Sequence, residues 1–199
     1  FPKWMCTYEH IHFSQFFKHK IDETLDASLI KHRYKEPRFE YSQLPKYNEP
    51  VDLQGYYQSD KYFQNCIDDI RYYFEPNDSL IQKIQDKYKN ELEGNTCSIH
   101  VRRGDYVGSR VHEICNMVYY NKCIKRMNDS GIDKFLIISD DINWCKANFI
   151  GENFFFAEGN STTEDLFIMS LCKNNIIANS SFSWWGSWLN KNPNKIVCA

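Results

Sequence analysis

The chain has 199 residues, 42% of them hydrophobic and 16% aromatic, and a formal net charge of −2. That length accommodates one or two compact units with a buried core. A near-neutral chain without a Lys/Arg block argues against nucleic acid or an anionic membrane surface as its main partner, and no apolar run approaches membrane-spanning length.

Residues 1–50 read as irregular, with Pro37, Pro45 and Pro50 punctuating the run. His10, His12 and His19 fall in this stretch at a spacing that fits no closed metal site, so packed or solvated histidines are expected, with a metal cluster as the alternative. Asp52 to Tyr57 reads as a strand. Ser59 is placed to cap a helix ending before Pro76, and Asp78 or Ser79 to cap another reaching about Leu92. Alternation then begins: strand 96–102, helix 117–129, strand 134–139, short helix 141–149, strand 153–156, helix 163–173, strand 175–178, helix 182–191 and strand 195–198. Strands alternating with helices imply an α/β fold with a parallel sheet.

Two stretches carry candidate chemistry. Ser98-Ile99-His100-Val101-Arg102-Arg103-Gly104-Asp105-Tyr106 reads as a strand that ends at a loop holding two arginines and a histidine. In α/β folds ligands bind at that edge, and a guanidinium fork matches phosphate geometry. The alternative is a surface Arg pair in a salt bridge with Asp105. Ile176-Ile177-Ala178-Asn179-Ser180-Ser181-Phe182-Ser183-Trp184-Trp185-Gly186 reads as a buried strand running into a hydroxyl-rich helix start. Such a start is a ready anion site; the alternative is an ordinary cap ahead of a Trp-rich core helix. Asp140-Asp141 follows a strand, and Asp141 or Ser139 is a natural N-cap. The same pair could hold a divalent ion on a sugar nucleotide, or line a cleft at the strand's end.

Together, His-x-Arg-Arg-Gly-Asp-Tyr followed by Asn-Ser-Ser-Phe-Ser-Trp-Trp-Gly resembles the α-1,2-fucosyltransferases of glycosyltransferase family 11. Residues 53–63, 139–146 and 164–170 are also similar to stretches of that family, so the resemblance spans roughly residues 50–199. It implies a GT-B enzyme with Rossmann-like lobes that transfers fucose from GDP-fucose to a galactose 2-hydroxyl of a glycan acceptor. Inversion is implied, with no metal and no other cofactor. On that resemblance Arg102 and Arg103 fall on the diphosphate, and His100 lines the nucleotide site. Ser181, Phe182 and Ser183 form the phosphate loop. Asp165, sixteen positions before Ser181, is the guanine candidate. Asp105 is the nearest carboxylate to serve as proton acceptor, or else orients an arginine. Alternatives are another GDP-fucose transferase, α-1,6 or protein O-linked, and a non-catalytic GDP- or glycan-binding chain.

The family's Gly-rich opening is absent, the chain starts at Phe1 without an initiator Met, and it stops at Ala199 in what reads as mid-strand. Both ends are therefore expected to be missing, with a partial acceptor-side lobe over residues 1–94 and the GDP-sugar-binding lobe over 95–199. The eight cysteines form no Cys-x-x-Cys pair, so reduced thiols are expected rather than zinc, with disulfides in an oxidising lumen as the alternative. A cytoplasmic setting follows, with peripheral membrane association, or the Golgi lumen in a eukaryote. The sequons at Asn77, Asn128, Asn160 and Asn179 read as chance in an Asn-rich chain.

Overall fold

A computed structural model describes residues 16–19 and 27–199. Contacts divide the chain into two compact units, Phe1–Asn77 and Asp78–Ala199.

In the first unit, β1 (His32–Lys35) pairs in parallel with β2 (Val51–Gln54). The expectation that residues 1–50 are irregular thus misses β1. Its four residues, His-Arg-Tyr-Lys, are largely exposed and carry no hydrophobic alternation to read. Glu36, just past β1, fastens the far end of β2. Its carboxylate accepts the N–H groups of Tyr56 (2.7 Å) and Tyr57 (3.1 Å) and the Tyr62 hydroxyl (3.2 Å). These bonds hold Tyr57 at φ +48°, a left-handed conformation unusual for an aromatic residue. Glu36 also packs where a Cβ on Gly55 would sit.

Ser59 does cap, but only a 3₁₀ turn over Asp60–Tyr62; a second turn, Gln64–Cys66, precedes α1 (Ile67–Tyr73). The expected long helix is broken at Phe63 (φ −131°) and Cys66 (φ −137°), both outside helical geometry. His19 bonds Glu75 at 3.0 Å and stacks on Tyr72, so it is a packed histidine; His10 and His12 lie outside the described residues.

The second unit is α/β. Helices α2 (Asp78–Lys87) and α3 (Lys89–Leu92) lead into β3 (Thr96–Val101), α4 (Met117–Asp129), β4 (Lys134–Ser139) and α5 (Ile142–Asn148). Then follow β5 (Phe154–Phe156), α6 (Thr162–Leu171), β6 (Asn174–Ile176), α7 (Ser181–Leu189) and β7 (Val197–Cys198). The five strands form one parallel sheet in the order β5-β4-β3-β6-β7. Ile99 of β3 lies opposite Ile137 on one side and Ile176 on the other. The sequence expectation divided the chain between 94 and 95; the contacts group α2 and α3 with the sheet, since α2 packs on α6 and buries Leu80 and Ile84.

All six residues of β3 are buried, as a central parallel strand covered on both faces requires. Successive side chains point to opposite faces. Cys97, Ile99 and Val101 join Tyr120, Cys123 and Met127 of α4 in one core cluster. Ser98 and His100 turn to the face covered by α6 and α7, where Phe167, Ile168 and Met169 are buried. Each large apolar side chain buried this way contributes about 1.5–3 kcal/mol. Helices α6 and α7 approach so closely that a Cβ on Gly186 would sit 2.7 Å from Met169 Cε. Beneath α7 runs a buried polar chain: Asn175 donates to Ser98 Oγ (2.7 Å) and Met169 O (2.8 Å), and Asn190 donates to Asn175 Oδ1 (2.8 Å). The seven described cysteines are free thiols. No helix among the described residues is long and apolar enough to cross a membrane.

Candidate functional site

The sheet order sets where a ligand can sit. From β3 the chain steps to β4 and β5 on one side, then crosses through α6 to β6 and β7 on the other. The direction of winding reverses between β3 and β6, and the crevice outside the carboxyl ends of those strands is the ligand position of such folds. The residues leaving β3 are Arg102 and Arg103; those leaving β6 are Ala178 to Ser183, which start α7. The two stretches singled out in the sequence thus meet at one edge.

The arginines are held by carboxylates arriving from the neighbouring strand. Arg103 donates through Nε to Asp141 Oδ2 at 3.0 Å and lies over the Trp144 ring, 4.1 Å from its centroid. Asp141 also caps α5 by accepting the Trp144 N–H at 3.1 Å. The Arg103 and Trp144 bonds hold its carboxyl below the usual carboxylate range. Asp140 Oδ1 accepts the Arg103 main-chain N–H at 2.9 Å, and its Oδ2 meets Arg102 Nη1 at 2.9 Å. Gly104 leaves room for this, since a Cβ there would lie 2.5 Å from Asp140 Oδ2. Asp105 Oδ1 takes the other end of Arg102, 2.6 Å from Nη2. Arg102 also lies over Tyr106, which stacks on His112.

His100 is 4% exposed, its ring 5.4 Å from that of Phe182. Its Nδ1 has no hydrogen-bond partner among the described residues, a rare state for a buried polar atom. Burial, assisted by the Arg102 charge, pushes its pKa down to about 3, so the imidazole is neutral. Across the crevice, Ser180 starts α7 with no side-chain cap. The first-turn N–H groups therefore stay open beside the positive end of a nine-residue helix. Ser181 is exposed, while Ser183 is buried and its hydroxyl donates to the carbonyls of Ala178 (3.1 Å) and Ser180 (3.0 Å). Ser183 thus braces the turn, and the polar groups left at this start are main-chain N–H groups and the exposed Ser181 hydroxyl.

Asp165 sits in the first turns of α6 and accepts Asn160 Nδ2 at 2.9 Å. Asn160 in turn accepts from Lys87 Nζ (2.6 Å) and the Tyr88 hydroxyl (2.9 Å). Burial, with the neighbouring Glu164 charge, raises Asp165 to about 6. Glu164 behaves oppositely: burial alone would raise it, but Lys83 (2.7 Å) and the Ser161 capping box outweigh that and hold it at about 2.

The sequence reading grouped Arg102, Arg103 and Asp105 and saw the Asp141 cap, but it did not see Asp140, Asp141 and Trp144 as partners of the arginines. The available signal was a carboxylate pair ending the strand next after the arginine strand. Among the described residues no group of three or more His, Cys, Asp or Glu side chains is placed to hold a metal ion.

Comparisons with known proteins bear on the family and the fold. The model of "Glycosyl transferase family 11" matches residues 13–198. The O-antigen biosynthesis glycosyltransferase WbnK of Escherichia coli is 38% identical over 158 residues, 73% of this chain and 52% of that protein. An alpha-1,2-colitosyltransferase of Escherichia coli is 33% identical over 189 residues, 89% of this chain and 64% of that one. The chain therefore spans between half and two thirds of the length of these relatives. Among solved structures, POFUT1 in complex with GDP-fucose superposes with a TM-score of 0.54 over 75% of this chain and 54% of that one, at 13% identity. This likeness shows a shared GT-B-like fold.

Proposed function

This chain belongs to glycosyltransferase family 11, and from that premise we propose that its second unit binds the guanosine diphosphate of GDP-fucose for transfer of fucose to the 2-hydroxyl of a galactose-terminated glycan. The observation that carries the reading is the facing of the Arg102–Arg103 pair and the uncapped start of α7 across the β3–β6 crevice, with the unpaired His100 nitrogen at its edge. The α-1,2 linkage is supported by the motif resemblance and by the colitosyltransferase relative.

The chemistry is a single displacement at the anomeric carbon that inverts its configuration through a transition state of oxocarbenium character. Negative charge grows on the departing diphosphate. Arg102, Arg103 and the α7 N–H groups, fixed before the reaction begins, stabilise that charge. The reading needs no metal: guanidinium groups supply the positive charge, and Asp140 and Asp141 spend their oxygens on those groups and on main-chain N–H. Asp165, as a carboxylate, faces the N–H groups of the guanine edge.

Calorimetry with GDP tests the site. Arg102→Lys and Arg103→Lys keep the charge but lose the fork. Each is expected to lower transfer by about a hundred- to thousand-fold, as for loss of one oxyanion donor, about 2.7–4 kcal/mol. Wild-type affinity and turnover in both variants would refute the phosphate assignment. A second donor is favoured by one finding, the α-1,2-colitosyltransferase relative at 33% identity. Colitose transfer in place of fucose is decided by linkage and sugar analysis of the product.

A further inference from the structure

Both terminal nitrogens of Arg102 already contact a carboxylate. Asp105 holds Nη2 at 2.6 Å and Asp140 holds Nη1 at 2.9 Å. A phosphate gripped in the bidentate manner needs two parallel N–H groups of one guanidinium edge. Two carboxylates draw on the terminal pair of the five N–H groups Arg102 carries, so a phosphate entering on that pair competes with the one held less firmly. The two differ in how they are tied. Asp140 ends β4, also receives the Arg103 main-chain N–H, and occupies the space left by Gly104. Asp105 stands on the short 3₁₀ turn Gly104–Tyr106 with its side chain 66% exposed, and Arg102 is its one side-chain partner among the described residues. Exposed pairs of this kind hold by a factor of only about two to five. The charges point the same way: Asp105, Asp140 and Asp141 contact two arginines, so an arriving diphosphate meets a surplus of negative charge unless one carboxylate withdraws.

We propose that Asp105 is a removable counter-charge on Arg102, yielding its place to the diphosphate of an incoming nucleotide while Asp140 remains and keeps the guanidinium in position. This rests on the nucleotide reading above. Asp140 is a positioning residue, and Asp105 is a competitor of the substrate for the same nitrogen.

The experiment is GDP calorimetry on the whole chain as wild type, Asp105→Ala, Asp105→Asn and Asp140→Ala, with circular dichroism to show that each is folded. Asp105→Ala and Asp140→Ala each delete one negative charge near the diphosphate, so plain electrostatic relief would tighten both equally. The expected result is opposite signs. Both Asp105 variants bind GDP about three- to tenfold more tightly, and Asp140→Ala binds at least about tenfold more weakly. Unchanged or weaker GDP binding in the Asp105 variants overturns the proposal, as does equal tightening in Asp105→Ala and Asp140→Ala. If Asp140→Ala does not fold, the two Asp105 variants decide alone. A folded wild type that does not bind GDP overturns the nucleotide reading itself, and the proposal with it.

Discussion

At the scale of single residues, Asp165 and His100 carry opposite messages about protons. Burial lifts Asp165 to about 6, so its carboxylate form is lost as pH falls through that value. A guanine edge donates N–H groups, and only the ionised carboxylate accepts them all. GDP affinity is therefore expected to decline as pH drops from 7 to 5. Asp165→Asn should be weaker at pH 7 and should lack that part of the decline, which calorimetry at a series of pH values reads directly. Intact pH dependence in the variant would remove Asp165 from the guanine site. His100 stays an uncharged imidazole down to about pH 3. Neither environment could be read from the sequence. The histidine was visible beside the arginines, but its burial against Phe182 depends on α7, which is some eighty residues away in the chain. The contacts of Arg103 with Asp140 and Asp141 likewise span 37 and 38 residues, and spacing gave no means of pairing them.

At the scale of elements, the close approach of α6 and α7 fixes where the uncapped start of α7 lies. Gly186→Ala would press a methyl group into Met169. Overpacking of this sort costs about 1–3 kcal/mol, to be seen as a lowered denaturation midpoint. Ser161→Ala removes the capping box on α6, at a cost of about 0.5–2 kcal/mol, and unties the turn that presents Asp165. The elements from β3 to β7 were legible within a few residues because the sheet's apolar runs alternate with helical stretches, and the expected cap at Asp141 is the one formed. Strand β1 was not, since exposed polar residues encode no period. The run from Ser59 to Pro76 looked like one helix because propensity says nothing of the Tyr62 hydroxyl, which bonds the Ser42 main chain and Glu36. Helix α2 packs on α6 with Leu80 and Ile84 buried, a cover that capping signals alone do not name, and so the division was expected after α2 and α3 rather than before.

For the molecule as a whole, the response of stability to acid follows from the same groups. The pKa of Glu164 is depressed in the folded state, to about 2, so its contribution is present above the usual carboxylate range and is lost as pH falls toward 2. The pKa of His100 is depressed as well, so the unfolded chain binds its proton first and stability falls from pH 6.5 toward 3. Asp165, with a raised pKa, works the other way: the folded state takes up the proton between about pH 6 and 4, which favours folding as pH drops. Two groups thus oppose one. Urea midpoints should fall between pH 6 and 3, and Lys83→Met, which strips Glu164 of its partner, should lower stability at neutral pH and flatten the acid end of the profile. A midpoint that rises on acidification would contradict this balance.

The amide chain beneath α7 has a consequence for how such a sequence can change over generations. Asn175, Ser98 and Asn190 satisfy one another out of reach of water. Replacing Asn175 by Leu would strand the Ser98 hydroxyl, the Met169 carbonyl and an Asn190 N–H together, each buried orphan costing about 1–3 kcal/mol. A single step away from this trio therefore crosses a deep valley of instability, and replacing all three by apolar residues still strands the Met169 and Cys172 carbonyls, which accept from Asn175 and Asn190. Descendants of this fold are expected to inherit the three polar residues as a block, with mixed sets rare.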